Sequence, residues 1–443
     1  MSTGYVLAVF FSIIILMVLA ISKFKIHASM ALLISGILLG IFLQFPLGEI
    51  EEIMNEGFAD TIKSVGIVIF LGSVLGIMLE RTGGAAKITN SAIKYFGDKY
   101  IVWALVFSSA LLGIPIWGDT VVVLLIPIVS KIALDTGRSM LSLGTILYLG
   151  ALVTASLVPP TPGAVAAASL LGVSLGEAII WGTIISIPSI VVATLYALTL
   201  KEHVEPLEEY VDETKKANNN GVKQPSLLGS LAPILLPLIL IVGNTAISAA
   251  APNTFIAELF SFIGSPMVAL LSGCVLALSL TGSKWNSKEV LDGYVDKGIG
   301  AAAMPILVTG LGGVLAIFIE RAGVAEVIAD TVVSFGFPSI LIPIILAAIL
   351  HIVTGSNALA VMTAAALVQP MLGTLGISPL AAFLASGTGA LMFKHANSSG
   401  FWVTVTMSNM NVKQGIKGIS VASTIAGGVG ALITIVLHYT GVI

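Results

Sequence analysis

Ten long apolar runs set the first limit on what this chain can fold into. They lie at 4–20, 28–45, 65–79, 140–172, 178–200, 228–247, 264–281, 298–318, 378–408 and 418–440. A helix needs about 20 apolar residues to cross a bilayer. Within lipid every backbone N–H and C=O has to find its partner inside the protein, which leaves helices or closed barrels. Runs of this length select helices. Composition agrees: 57% of the 443 residues are hydrophobic and 10% are charged, against about 25% charged in a soluble domain. A water-soluble enzyme and a disordered chain are both excluded. The single cysteine, Cys274, rules out a disulfide scaffold or a cysteine-rich metal site, and the five histidines form no HExxH motif. No catalytic residue, metal or cofactor is expected. A net charge of −3 argues against a nucleic-acid partner. Residues 5–20 have no basic residue ahead of them, and Lys23 and Lys25 follow the run. The segment therefore reads as a first span and not as a cleaved signal.

Two further apolar segments, 101–134 and 338–373, are interrupted near their centres. The interruptions are Ile114-Pro115-Ile116-Trp117-Gly118-Asp119-Thr120 and Thr354-Gly355-Ser356-Asn357. Irregular backbone at membrane depth is tolerated only where protein or a water-filled cavity surrounds it, so both segments read as re-entrant helical hairpins. The runs 140–172 and 378–408 are too long for one plain span and contain breaks of their own. With ten spans and two hairpins, seventeen of the 20 basic residues fall on one side, the asymmetry expected of cytoplasmic loops. Lys63 and Arg321 fall outside that set, and Lys394 falls in a break. Both termini then lie outside. The stretch 201–227 is the one cytoplasmic linker. It separates 1–200 from 228–443, each holding five spans and one hairpin.

These halves are related in sequence. Leu79-Glu80-Arg81-Thr82-Gly83 matches Ile319-Glu320-Arg321-Ala322-Gly323 at an offset of 240, and Leu71-Gly72 matches Leu311-Gly312 at the same offset. Gly118 pairs with Gly355, and Gly163 with Gly400, both at 237. An odd number of spans per half places the second upside down. The expected fold is an all-α polytopic membrane protein of two inverted repeats, the architecture of secondary transporters, whose substrate sites lie at the midplane between broken helices.

Four interruptions fall at matched places: the two hairpin tips, Pro159-Pro160-Thr161-Pro162-Gly163, and Lys394-His395-Ala396-Asn397-Ser398-Ser399-Gly400. Prolines remove backbone donors and free carbonyls, and each restarted helix presents N–H groups and a dipole that favour an anion. The candidate substrate-binding residues are Thr120, Thr161, Gly163, Gly355, Ser356, Asn357, Asn397, Ser398 and Ser399. Asp119 is the one charge in residues 101–130. A carboxylate so placed is paired, protonated or functional. It reads as the proton carrier or as the N-cap of residues 121–128, roles that are compatible. His395 is the second candidate for proton transfer. Lys394 reads either as a partner for a substrate carboxylate or as a structural cation. Glu80-Arg81 and Glu320-Arg321 look like interfacial ion pairs, Asp60 like the opening of the third span, and residues 202–213 like a solvated linker face.

Several of these motifs together resemble the gluconate permease family of the ion transporter superfamily. They are Ile114-Pro115-Ile116-Trp117-Gly118-Asp119, Pro160-Thr161-Pro162-Gly163-Ala164, Leu79-Glu80-Arg81-Thr82-Gly83-Gly84-Ala85, Gly355-Ser356 with Met362-Thr363-Ala364-Ala365, and Asn397-Ser398-Ser399-Gly400-Phe401-Trp402. The resemblance spans nearly the whole chain. It implies proton symport of a small hydroxylated monocarboxylate, gluconate or a related sugar acid, across the cytoplasmic (inner) membrane. It also implies a homodimer among membrane lipids and an elevator-like motion, with spans 1–3 and 6–8 as scaffold and the hairpins with spans 4, 5, 9 and 10 as the moving unit. Family members often carry Asp where Ser398 stands and Ser where Lys394 stands. Related transporters hold sodium with Ser-Asn-Thr tips, to which Gly355-Ser356-Asn357-Ala358 is partly similar. Sodium-coupled symport of an organic or amino acid such as D-serine is therefore the alternative. A passive channel and a membrane-embedded hydrolase are the remaining classes; the chain lacks the charged rings of the first and the GxSG motif of the second.

Overall fold

The computed structural model describes residues 3–210, 225–323, 338–396 and 398–443, and among them it is helical with no strand. The first part contains α1 (Thr3–Ser22), α2 (Ala28–Phe42), α3 (Leu47–Arg81), α4 (Gly84–Phe96), α5 (Ile101–Gly113), α6 (Gly118–Thr136), α7 (Met140–Leu157), α8 (Pro162–Leu170) and α9 (Leu175–Leu198). The second contains α10 (Leu227–Ala250), α11 (Phe255–Ile263), α12 (Pro266–Ser279), α13 (Asp296–Arg321), α14 (Leu341–Thr354), α15 (Asn357–Val368), α16 (Pro379–Gly389), α17 (Ser399–Met407) and α18 (Val421–Tyr439). Seven helical runs among the described residues are long and apolar enough to cross a membrane, and two bent pairs raise this to nine. One pair bends by 60° between α11 and α12, where Ser265 is extended ahead of Pro266. Proline disfavours a helical residue before it and cannot donate into the turn.

Two groups of helices pack around different centres. In the first, α3 and α13 cross along much of their length, with α2 against α13 and α12 against α3. Their crossing is close because small residues face each other: a Cβ on Gly57 would lie 2.7 Å from the Gly313 carbonyl oxygen. Small residues let membrane helices approach in this way. In the second group α7 is central, touching α5, α6 and α9, while α14 packs on α15 and α16, and α18 on α9 and α16. An 18-residue apolar window within Met140–Leu170 is 94% buried within the protein, against 28% for the corresponding window of Leu227–Ala250. The first is therefore wrapped by protein on all sides and the second lies at the periphery. The groups meet where α8 packs on α3 and α15 on α13.

Several local expectations change. Helix α3 begins at Leu47, so Asp60 lies inside it and does not open a span. Residues 84–96, which lie between the apolar runs 65–79 and 101–134, form an amphipathic helix that buries Ala85, Ile88, Thr89 and Ala92, the i, i+3, i+4, i+7 face of a surface helix. Run length alone misses such a helix. Glu80 pairs with Arg81 at 3.6 Å, but Arg321 pairs with Glu56 at 2.6 Å and not with Glu320. The linker's start is docked and not free: Met140 N donates to Val204 O at 2.9 Å, and Lys417 Nζ reaches Glu202 Oε1 at 2.6 Å. That ammonium holds the Glu202 carboxyl below the usual carboxylate range. Most of the linker, residues 211–224, lies outside the described residues, as does Asn397.

Candidate functional site

Each of the four interruptions ends one helix and starts another, and the chemistry of the break is local. Helix α14 stops at Gly355, whose φ of +69° is the left-handed conformation that glycine adopts without a steric penalty. Ser356 then caps α15 by accepting from Leu359 N at 3.3 Å. At the α7–α8 break, Pro162 is the first residue of α8, a position where a missing N–H costs nothing. Thr161 Oγ1 donates to the Ala155 carbonyl at 2.7 Å, taking up an acceptor that the broken helix leaves open. Trp117 precedes α6 without a side-chain cap. Asp119 is thus the second residue of α6 and not its N-cap; its carboxylate turns across the site, where Ser399 Oγ donates to Oδ2 at 2.6 Å.

The four restarted helices bring their N-termini to one cavity of about 120 Å³. It is lined by Gly118 and Asp119 of α6, Thr161 and Gly163 at α8, Ser356, Asn357 and Ala358 at α15, and Ser398 and Ser399 at α17. The walls also hold Tyr148 and Ser156 of α7, together with Gly355 and Lys394. Two tips touch directly: a Cβ on Gly163 would lie 2.8 Å from Ala358 Cα. A second, open cavity of about 590 Å³ adjoins the first and shares Trp117, Asp119, Ser356 and Ala358 with it. This vestibule continues past Thr120, Pro305 and Met362 to His27.

Of the residues expected at the site, Asp119, Thr161, Gly163, Gly355, Ser356, Asn357, Ser398 and Ser399 therefore come together. Thr120 faces the vestibule. His395 lines neither cavity; its Nε2 lies 3.1 Å from the Ile352 carbonyl, so the geometry gives it a role in joining this break to α14. Asn397 lies outside the described residues. Sequence reasoning missed Tyr148 and Ser156. The available signal was that Tyr148 is the lone aromatic residue in the run 140–172, and a buried phenol needs a polar partner.

Asn357 is the hub. Its Nδ2 donates to Ala390 O at 2.7 Å and to Ser156 Oγ at 3.2 Å, and its Oδ1 accepts from Lys394 Nζ at 2.6 Å. One amide thus ties the α14–α15 break to α7 and to the break after α16. Asn357→Ala removes that acceptor and leaves buried polar groups unsatisfied, at about 1–3 kcal/mol each. The expected result is a lower melting temperature in detergent. A variant that melts like the parent would show that the amide is not the joint.

Broken helices that meet at one cavity, set among spans of membrane length, define a multi-pass membrane protein with the fold of a transporter. The YdaH transporter of Alcanivorax borkumensis has a similar fold, with a TM-score of 0.58 and 17% identity over 87% of both chains. A gluconate permease of Pseudomonas aeruginosa is 30% identical, covering 96% of this chain and 95% of that one. The inner membrane permease YgbN of Escherichia coli is 31% identical, covering 98% of each. The family model for GntP family permeases matches residues 5–440, and the chain belongs to that family. It is a permease of the inner membrane and not an enzyme.

Proposed function

We propose that this permease is a proton-coupled symporter of a small hydroxylated monocarboxylate, with gluconate and related sugar acids as the first candidates. The observation that carries the reading is the meeting of four helix N-termini in one cavity. Their N–H groups and dipoles favour an anion, while Ser356, Asn357 and Ser399 offer hydroxyl and amide groups to a substrate's hydroxyls. The relative from Pseudomonas aeruginosa is named as a gluconate permease, which supports this substrate class. Asp119 is the proton carrier, because among the described residues it is the one carboxylate lining the cavity and it also faces the vestibule. With Lys394 positive and Asp119 negative, the empty site is neutral. An entering anion makes it negative, and one proton restores neutrality.

The two packing groups support an elevator motion, with α1–α3 and α10–α13 as scaffold and homodimer interface and α5–α9 with α14–α18 as the moving unit. The matched sequence motifs support two inverted repeats joined by the linker. Sodium coupling is the second reading, supported by the hydroxyl and amide side chains at the tips. Uptake into proteoliposomes under a pH gradient alone, then a sodium gradient alone, separates the two. Accumulation driven by the pH gradient is expected; accumulation driven only by sodium would replace the proton, and equilibration without accumulation would make the protein a channel. For topology, single cysteines replacing Gly4 or Gly441 in a Cys274→Ala background should react with an impermeant maleimide from outside, and one replacing Lys99 only from inside. The opposite labelling pattern would reverse the orientation, and labelling of the termini and residue 99 from the same side would sink the inverted arrangement.

A further inference from the structure

Lys394 is a buried cation of the site that shares its cavity with Asp119 but makes no direct ion pair with it. It is 3% exposed, its ammonium donates to a neutral amide, Asn357 Oδ1, and it makes no ion pair among the described residues. Asp119 is instead bonded by Ser399. Among the described residues its one direct acceptor is neutral, so the buried charge is costly, and an anion brought into contact with the ammonium relieves the cost. Two hydroxyls in the same wall are left with at most each other. Tyr148 and Ser398 are 0% and 2% exposed, both line the cavity, and among the described residues neither Tyr148 Oη nor Ser398 Oγ has a hydrogen-bond partner beyond this pair. Lys394 Nζ lies 5.6 Å from the centre of the Tyr148 ring, so the cation and the two hydroxyls belong to one small region. The chamber's volume of about 120 Å³ is small beside the adjoining vestibule of about 590 Å³.

We propose that Lys394 is the carboxylate anchor of the site, and that the chamber is shaped for a compact 2-hydroxy acid of about three or four carbons, with its hydroxyls on Tyr148 and Ser398. The proposal rests on the permease reading and narrows its substrate. The carboxylate meets the ammonium in a desolvated chamber, where an ion pair is far stronger than in water. The bound hydroxyls give Tyr148 Oη and Ser398 Oγ partners beyond one another. A six-carbon sugar acid engages the same anchor but extends past Trp117 and Ser356 into the vestibule, leaving the chamber open.

The test uses glycerate, gluconate and glyceramide as probes, with affinities measured on the purified protein in detergent. Glycerate should bind more tightly than gluconate. Glyceramide, with the same shape and no charge, should bind about 30-fold or more weaker than glycerate, the scale of losing one partner of a buried charge pair. Lys394→Gln should lose glycerate affinity by a similar factor while melting near the parent. If that variant binds glycerate like the parent, or if the parent binds glyceramide as well as glycerate, the anchor is wrong. Should the variant fail to fold, the amide comparison on the parent decides. Tighter binding of gluconate than glycerate overturns the size limit. If the parent neither binds nor transports any acid, the permease substrate reading itself has failed, an outcome distinct from acids that bind without regard to Lys394.

Discussion

Asp119→Asn is expected to abolish accumulation driven by a pH gradient while leaving exchange of internal for external substrate. Asn preserves the shape and keeps an oxygen to accept from Ser399 Oγ, which donates to Asp119 at 2.6 Å, but it cannot carry a proton. The charge balance explains why the two assays should separate. In the variant, Lys394 and the bound anion cancel, so the loaded site is neutral and can cross. The empty site is left with a net positive charge and cannot readily return. An uncompensated charge at mid-membrane costs about 2.5–3.5 kcal/mol on insertion scales, and 1.36 kcal/mol is tenfold in rate. Net uptake should therefore fall by about 100-fold, with exchange changed far less. The measurement is proteoliposome uptake under an imposed pH gradient, set against counterflow in the same vesicles. A variant that still accumulates substrate as the parent does would remove Asp119 from coupling.

Gly400→Ala should close the site. A Cβ at this position would meet Asp119 Oδ1 and Tyr148 Oη, and would lie 2.7 Å from Tyr148 Cζ. Neither neighbour can yield easily: Tyr148 is fully buried and Asp119 is tied to Ser399. Overpacking of this kind costs about 1–3 kcal/mol, here as displacement of the two side chains that shape the cavity. Substrate affinity should drop by about 10-fold to 100-fold with a modest fall in melting temperature. The control is Gly428→Ala, where a Cβ meets nothing within 4 Å and alanine in the middle of a helix is favoured over glycine by about 0.5–1 kcal/mol. Normal binding by Gly400→Ala would mean that the cavity is roomier at this wall than its geometry indicates.

The sequence by itself determined the helices and where they break. Uncharged run length selects a spanning helix because lipid offers no partner for the backbone, and proline or glycine ends it through local covalent geometry. Pro162 at the start of α8 and Gly355 at the end of α14 act within one turn of the chain, so their effect is readable residue by residue. Helix α4 escaped because its signal is a periodicity on one face and not a run. What only the tertiary structure decided is the pairing of side chains. Asp119 is bonded by Ser399, 280 residues away, and Arg321 takes Glu56, 265 residues away. In each case a nearer alternative, the cap of α6 or Glu320, was the natural local reading. His395 and Lys394 are neighbours in sequence, yet one is turned to a carbonyl of α14 and the other into the chamber. The lone phenol of α7 became a wall of the site only because four distant helix ends close around it. A side chain's partner depends on which helices pack together, and that choice is made by the burial of whole helix faces, which no local stretch of sequence contains.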